Sequence, residues 1–283
     1  MTYEDKTQVE VIQHTKWNGT EIITFRGTFP QIIHKHLLKH RLFSQEDSDE
    51  DASISTSSIR AIPGRKQIDL VMETPFVPQR WPKNRSGMQA TEYYEGTAAE
   101  LCEEDYLAGF MDAVTAAERL LLAGVHKAIA LRGLEPYGWA TAMITTTLPG
   151  LQNFLALRDH PEAQDETAIF ARCMRKAYEA SSPFADIFHI PFRRYDCSIE
   201  DAMIYGVAQC ARTSYGRELD AFTMEQNRDL MVKLLTPPIH SGPTEHVGIF
   251  PVNREAHLGN FEVWNQLRHR WREYLPSIAA RLE

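Results

Sequence analysis

Residues 9–25 read VEVIQHTKWNGTEIITF and contain the strongest strand signal near the start of the chain. Its two halves, Val9–His14 and Thr20–Phe25, are rich in β-branched residues, and Trp17-Asn18-Gly19 lies between them. Two β-branched runs that flank a turn signal of this kind are typical of a β-hairpin. The sequence therefore predicts an antiparallel hairpin over this stretch.

Helical and strand patterns alternate along the rest of the chain. Residues 98–123 place apolar side chains on one helical face, and residues 139–147 are apolar and β-branched enough for a buried strand. Residues 151–180 predict a long helix with a break near His160-Pro161, and residues 29–41 predict a further helix. Because strand and helix patterns interleave in this way, the sequence predicts an α/β fold.

No shift in composition divides the chain, so we expect residues 1–283 to form a single domain. The fold class that we predict is α/β, with a central mixed or antiparallel sheet and long flanking helices. A content of 43% hydrophobic and 24% charged residues is typical of a globular protein. The net charge of −8 argues against a nucleic-acid partner, because a surface that follows a phosphate backbone needs an excess of basic residues.

The sequence also indicates where the protein resides. It contains no run of about 18 apolar residues, and its first residues lack the basic and apolar blocks of a signal peptide. The four cysteines are scattered without Cys-x-x-Cys spacing, which favours reduced thiols. We therefore expect a cytoplasmic protein with no membrane partner.

Cationic and hydroxyl side chains are concentrated in two neighbouring segments. The first is Lys39-His40-Arg41-Leu42-Phe43-Ser44, and the second, Ser57-Ser58-Ile59-Arg60, follows the acidic insert Glu46–Asp51. Guanidinium forks and hydroxyls are the groups that bind phosphate oxygens. These segments therefore predict a site for a phosphorylated ligand.

These two segments resemble the motif R-H-R-x-x-S-x-N-E-x-S-x-R-Y of the flavin-dependent thymidylate synthases. Residues 211–215 resemble the A-R-x-S-Y motif of that family, and residues 240–246 resemble H-x-S/T-P-F-E-H. Residues 153–158 resemble N-F-L-x-L-R, and residues 162–164 resemble the H-A-Q that follows it. The blocks keep the cyclic order of the family but begin at a different point, so the resemblance implies a circularly permuted member, an arrangement that folds tolerate where termini lie close together.

The resemblance implies a role for each matching residue. Arg158 matches the catalytic arginine that pairs with uracil and stabilises its developing negative charge. The other substrate-binding residues that it implies are Ser58, Arg60 and Arg132. The residues that it implies for FAD binding are Lys39, His40, Arg41, Ser44, Asn153, Ser214, His240, Gly242 and Glu245.

The activity implied by the resemblance is methylation of carbon 5 of a uridylate, most simply dUMP to dTMP. FAD is the implied cofactor, methylenetetrahydrofolate the carbon donor and NADPH the reductant. The active sites of the family form between subunits of a homotetramer. Alternatives of the same chemistry are a UMP methylase of nucleoside-antibiotic biosynthesis, a hydroxymethylase and a dCMP-specific variant. Alternatives of another class are a non-catalytic nucleotide-binding paralogue and a metallohydrolase that uses His240, Glu245 and His246.

The chain also departs from the family pattern. Lys39 replaces the first arginine of the triplet, and Ser55-Thr56 replace Asn-Glu. Leu131 stands where the family commonly has a phosphate-binding arginine, with Arg132 next to it. A second triplet, Arg268-His269-Arg270, matches R-H-R literally, but it lacks a following S-x-R and its charge pattern predicts a solvated helix face.

Overall fold

The computed structural model describes residues 6–37, 52–57, 62–86, 92–213, 221–240, 242–250, 261 and 264–282. The strands are β1 (Gln8–Trp17), β2 (Thr20–Pro30), β3 (Ala52–Thr56), β4 (Trp81–Pro82), β5 (Tyr93–Tyr94), β6 (Trp139–Thr147), β7 (Phe184–Ala185), β8 (Phe188–His189), β9 (Gly248–Ile249) and β10 (Asn265–Gln266). The α-helices are α1 (His34–Leu37), α2 (Gly64–Glu73), α3 (Thr97–Leu122), α4 (Lys127–Ala130), α5 (Leu148–Arg158), α6 (Asp165–Glu179), α7 (Ile199–Ala211), α8 (Met224–Leu235), α9 (Leu267–Tyr274) and α10 (Pro276–Leu282). Short 3-10 helices span Gln31–Ile33, Arg132–Tyr137 and Gly242–His246.

The main sheet has five strands in the order β3-β6-β2-β1-β7. Neighbouring strands from β3 to β1 are antiparallel, whereas β7 runs parallel to β1, so the sheet is mixed. A three-stranded sheet, β10-β9-β8, and the pair β4-β5 are smaller. This architecture confirms the predicted α/β class with a mixed central sheet.

The predicted hairpin is confirmed, and its turn explains why it forms. β1 and β2 pair from Trp17 with Thr20 back to Gln8 with Thr28. Asn18 and Gly19 between them have φ values of 48° and 84°. Two successive positive φ angles are the geometry of a type I′ turn, whose twist matches that of the flanking strands.

The two faces of the sheet differ in polarity. Ile23, Phe25 and Phe29 of β2 point into an apolar core with Ala142 and Ile144 of β6. Helices α5 and α6 cover this face. The opposite face presents mainly hydroxyl and charged side chains, because successive residues of a strand point to opposite sides. These polar-face residues are Thr24, Arg26 and Thr28 of β2, Thr141 and Thr145 of β6, and Ser53 and Ser55 of β3.

A second core lies in the C-terminal third of the chain. It is formed by α7, α8, α9 and α10 together with residues next to β8 and β9. Ile204 and Val207 of α7 are fully buried there, as are Leu267 of α9 and Ile278 of α10. Ser198 caps α7, since its hydroxyl accepts a hydrogen bond from the Asp201 amide at 3.1 Å.

Two helix predictions have different outcomes. The predicted helix over residues 29–41 is wrong at its start, because Phe29 and Pro30 continue β2 and pair with Ala140 and Trp139. Only the 3-10 turn and α1 follow, and residues 38–41 lie outside the described residues. Sheet pairing thus outweighs the local helical pattern. The predicted break near His160-Pro161 is confirmed by the separation of α5 from α6.

One helix and one strand were predicted with nearly exact boundaries. The helix predicted over residues 98–123 is α3, and the strand predicted over residues 139–147 is β6. Within the described residues, no helix combines the length and the apolar character needed to cross a membrane.

Candidate functional site

The polar face of the main sheet opens onto a cleft with a volume of about 1100 Å³. Arg26 and Thr28 line it from the sheet, Lys176 lines it from α6, and Arg212 and Thr213 line it after α7. Three cationic side chains and several hydroxyls around one cleft suit a ligand that carries phosphate groups. Among these cations, Arg26 also forms an ion pair with Glu10.

Arg212 is the most firmly held of these cations. Only 8% of the residue is exposed. One guanidinium nitrogen donates a hydrogen bond to Asn227 Oδ1 at 2.6 Å, and the guanidinium carbon lies 3.9 Å from the centre of the Phe222 ring. Arg212 is the arginine of the segment that resembles A-R-x-S-Y. A role was predicted from the sequence for Ser214 of that segment but not for Arg212.

A smaller cavity of about 310 Å³ adjoins the cleft. Thr28, Thr141 and Thr213 line both. Ser57 also lines the smaller cavity and is bound to β6, because its amide donates to the Thr141 carbonyl at 2.7 Å and its hydroxyl accepts from the Thr141 amide at 3.1 Å. These two hydrogen bonds hold Ser57 at the wall of the cavity.

The segment from His240 to His246 packs beside β3. His240 is exposed, and its amide donates to the Leu234 carbonyl at 2.8 Å. Gly242 faces β3 so closely that a side-chain carbon built on it would lie 3.3 Å from Ser55 Oγ. Glu245 forms an ion pair with Arg268 at 2.6 Å. Gly242 and Glu245 are both predicted to bind the cofactor. Gly242 therefore lies beside β3, and Glu245 lies beside α9.

The Arg268–Glu245 pair alters the interpretation of the second triplet. Arg268 and His269 are exposed on α9, as the sequence predicts for a solvated helix face. The charge of Arg268, however, lies against the segment that resembles the family's cofactor motif. Charge pattern alone could not reveal this contact, because the two residues are 23 positions apart.

His246 is completely buried between the main sheet and the second core. Its Nδ1 lies 2.8 Å from Thr145 Oγ1, and its Nε2 lies 2.8 Å from Ser55 Oγ. Burial lowers the pKa of His246 to about 3, because the interior disfavours the charged imidazolium. His246 is therefore neutral at physiological pH and uses both ring nitrogens in hydrogen bonds.

His189 of β8 is a second buried histidine on the same face. Its Nε2 lies 2.8 Å from Thr24 Oγ1, and its Nδ1 lies 3.0 Å from Thr15 Oγ1. Thr24 Oγ1 in turn lies 2.6 Å from Thr145 Oγ1. Burial, assisted by His246 and His14, lowers the pKa of His189 to about 3. We call the connected side chains the hydroxyl–histidine relay, and its members in order are Thr15, His189, Thr24, Thr145, His246 and Ser55.

The two neutral histidines predict a loss of stability in mild acid. In the unfolded chain each has an ordinary pKa near 6.5, so the unfolded state takes up protons first as the pH falls toward 3. Each histidine then lowers the free energy of unfolding by about 1.4 kcal/mol per pH unit below pH 6.5. We expect a loss of about 2 kcal/mol per histidine between pH 7 and pH 5, measured by urea unfolding.

A control separates this effect from general acid sensitivity. His240→Asn replaces an exposed histidine outside the relay and serves as the matched substitution. A free energy of unfolding that stays constant from pH 7 to pH 5 would contradict the assignment of two neutral buried histidines.

The predicted catalytic residue, Arg158, is the last residue of α5. It follows Leu151 and Phe154 along the buried stripe of that helix, which places it at the end of the apolar face. Its Nε is buried and has no hydrogen-bond partner among the described residues. Arg158 and Asn153, also on α5, are not among the residues that line the cleft or the smaller cavity.

The other predicted residues fall into two groups. Arg132 is exposed at the first position of a 3-10 helix, whereas Leu131 before it is buried in an apolar cluster with Val114. The predicted residues that lie outside the described parts of the chain are Lys39, His40, Arg41, Ser44, Ser58, Arg60 and Ser214. The acidic insert Glu46–Asp51 also lies outside them.

One of the four cysteines, Cys210, is buried in the protein. The residue is 1% exposed on α7, and burial raises the pKa of its thiol well above the ordinary value. A buried neutral thiol is unreactive, so Cys210 has a structural role. In the described residues, no three histidine, cysteine or carboxylate side chains are placed to share a metal ion.

Comparisons with known proteins give a limited likeness. No protein-family model matches the sequence, and no curated protein matches it. Two solved structures of the UMP/dUMP methylase PolB from Streptomyces cacaoi, one bound with 5-Br dUMP and one with 5-Br UMP, are similar to 56% of this chain. Sequence identity is 20% in both cases, the TM-scores are 0.43 and 0.44, and the match spans 65% and 69% of those chains. A likeness of this size concerns the shape of part of the chain and not its reaction.

Proposed function

We propose that the protein is a FAD-dependent methyltransferase that methylates carbon 5 of a uridylate nucleotide, with dUMP as the first candidate substrate. Methylenetetrahydrofolate is the proposed carbon donor, and NADPH is the proposed reductant. The proposal rests on motif resemblance together with one observation of the fold.

That observation is the meeting of three motif segments that are far apart in the sequence. Residues 52–57 of the nucleotide segment contact residues 240–246 through the bond between Ser55 and His246. Thr213, in the third segment, lines the same cavity as Ser57. A shared binding site would bring these motifs together, whereas a chance resemblance in three short motifs gives no reason for them to be neighbours.

The described residues are compatible with a bound dinucleotide cofactor. The cleft of about 1100 Å³ and the adjoining cavity have hydroxyls along the sheet, and Lys176 and Arg212 supply positive charge for phosphate oxygens. When bound, reduced flavin would relay the carbon and supply the hydride. A cysteine nucleophile is then unnecessary, which agrees with the inert environment of Cys210.

The chain's own contribution is binding and electrostatics. Arg212 would hold an anionic group at the cleft, since Asn227 and Phe222 already fix its guanidinium. Arg158 is partly exposed, and its guanidinium would stabilise negative charge on the uracil. Both roles need a preorganised cation and no covalent bond to the protein.

A substrate comparison tests the proposal. Purified protein supplied with FAD is expected to retain the visible absorbance of bound flavin. With methylenetetrahydrofolate and NADPH present, it is expected to release tritium from carbon 5 of labelled dUMP. Parallel reactions with UMP and dCMP identify the nucleotide, and product analysis separates methyl from hydroxymethyl. Bound flavin without tritium release from any of the three would contradict the proposed reaction and favour a non-catalytic paralogue.

The position of Arg158 suggests that the site is completed by another copy of the chain. Arg158 ends a helix that covers the apolar face of the sheet, and it is not among the residues that line the cleft with Arg26 and Lys176. The homotetramer implied by the family resemblance would supply Arg158 to the cleft of a neighbouring subunit. We therefore include shared active sites in a homotetramer in the proposal.

Complementation between two inactive variants tests the shared site. Arg158→Ala and Arg212→Ala are each expected to be inactive because each lacks one cation. When the two variants are mixed and their tetramers reassemble at random, about a quarter of the sites receive both intact arginines. Activity is therefore expected to rise to about a quarter of that of the unmodified protein. Activity that never exceeds the sum of the separate variants would place both residues in one subunit's site.

A further inference from the structure

The hydrogen bonds of the hydroxyl–histidine relay all donate in the same direction along it, and Gln13 sets that direction. Gln13 Nε2 is a donor only, and it lies 3.1 Å from Thr15 Oγ1. Thr15 therefore accepts this bond and has one proton left. Its only other described hydrogen-bond neighbour is His189 Nδ1 at 3.0 Å. Thr15 must donate to Nδ1, because the opposite arrangement would leave its buried hydroxyl proton without an acceptor among the described residues.

Each hydrogen bond of the relay then fixes which atom donates in the next one. With Nδ1 accepting, neutral His189 carries its proton on Nε2 and donates to Thr24. Thr24 donates to Thr145, and Thr145 donates to Nδ1 of His246. His246 is neutral as well, so its proton lies on Nε2 and is donated to Ser55 Oγ. Both histidines are thereby held in the same tautomer, with the proton on Nε2.

Ser55 is the last member of this relay. Its oxygen accepts from His246, so its own proton remains available, and no described residue accepts that proton. Ser55 is partly exposed and adjoins Gly242, whose lack of a side chain leaves room for a ligand at the backbone. The relay therefore leaves the Ser55 hydroxyl as a hydrogen-bond donor, and this donor lies beside a segment that resembles a cofactor motif.

We propose that Ser55 is a ligand-binding residue whose hydroxyl, oriented by the relay, donates a hydrogen bond to a phosphate oxygen seated against Gly242. A phosphate group offers acceptors only, which matches a hydroxyl that is committed to donating. The inference deepens the proposed function and rests on it, since the phosphate would belong either to the flavin cofactor or to the uridylate.

Two substitutions test the proposal, one at the ligand and one at the far end of the relay. Ser55→Ala removes the donor. Gln13→Glu keeps the shape of the side chain but replaces the amide donor with a carboxylate acceptor. Thr15 would then donate to the new carboxylate, and each later bond would reverse, so that Ser55 donates to His246 and has no proton for a ligand. Asn18→Asp is the charge-matched control, because it adds one negative charge to the exposed turn of the same hairpin.

Two measurements read out the result. Nitrogen-15 NMR of the histidine rings reports the tautomers of His189 and His246 in the ligand-free protein, and calorimetry reports Kd for FAD and for dUMP separately. We expect Gln13→Glu to move the proton of both rings from Nε2 to Nδ1. We also expect Gln13→Glu and Ser55→Ala to weaken the same ligand roughly tenfold, while Asn18→Asp changes neither measurement.

The outcomes separate this inference from the proposed function. Weaker binding of FAD alone assigns the phosphate to the cofactor, and weaker binding of dUMP alone assigns it to the substrate. If Ser55→Ala binds both ligands as tightly as the unmodified protein, the inference is wrong while the proposed function stands. Unchanged tautomers in Gln13→Glu would overturn the relay's direction. If the unmodified protein binds neither ligand, the proposed function fails, and the role of Ser55 fails with it.

Discussion

Arg158→Ala is expected to abolish methylation while leaving flavin bound. The arginine would lose its contact with the developing charge on uracil, and a contact of this kind is worth about 3–4 kcal/mol in the transition state. Turnover should therefore fall by about 10²–10³-fold. Tritium release from labelled dUMP measures the loss, and visible absorbance measures the retained flavin.

Arg172→Ala provides the matched control. Arg172 lies on α6 with 56% of its side chain exposed, and its guanidinium is 4.0 Å from Asp159, the residue after Arg158. Its loss removes an arginine from the same neighbourhood and should leave turnover within about twofold, as expected for a weak surface ion pair. If Arg158→Ala turned over substrate at the rate of this control, Arg158 would have no part in the reaction.

Gly248→Ala is expected to destabilise the second core severely. A side-chain carbon on Gly248 would lie 2.4 Å from the Asn265 carbonyl oxygen and 2.5 Å from Trp264 Cε2. Trp264 is fully buried, so neither neighbour can yield without displacing others. Overpacking typically costs about 1–3 kcal/mol and occasionally more, and the contact with backbone places this substitution at the upper end. Urea unfolding of the variant and the unmodified protein measures the difference.

Gly133→Ala is the control for that substitution. The nearest atom to an added carbon there is Ala113 Cβ at 3.9 Å, an ordinary contact distance. The added methyl group should be neutral or slightly stabilising, because alanine restricts the unfolded chain more than glycine does. Equal stability of the two variants would mean that β9 can shift away from Trp264, contrary to the close packing described above.

Local signals in the sequence were sufficient for the hairpin, α3 and β6. In each case the deciding information lies within the element: an Asn-Gly turn, a helical stripe or a β-branched run. The end of β2 could not be predicted in this way. Pro30 suggests a helix start, and only its pairing with Trp139, more than a hundred residues away, holds it in the sheet.

The candidate site was harder to predict because its residues have ordinary local roles. Thr24 and Thr145 are favourable strand residues, and nothing near them in the sequence indicates that their hydroxyls bind one another. The sequence indicates for His246 only a possible role as a metal ligand, whereas its two ring nitrogens form hydrogen bonds with hydroxyl groups. Arg212 belonged to a motif that was recognised, but its burial against Phe222 depends on helix packing.

The polar face of the main sheet has a consequence for synthesis of the protein. Most of its strands are made before His189 and His246, which cover Thr24 and Thr145, leave the ribosome. An apolar face left open for that interval would tend to bind other unfinished chains. Threonine and serine hydroxyls can instead be satisfied by water until the histidines arrive. We expect the nascent sheet to remain hydrated and free of aggregation, and the exchange of water for two imidazoles to be a late step in maturation.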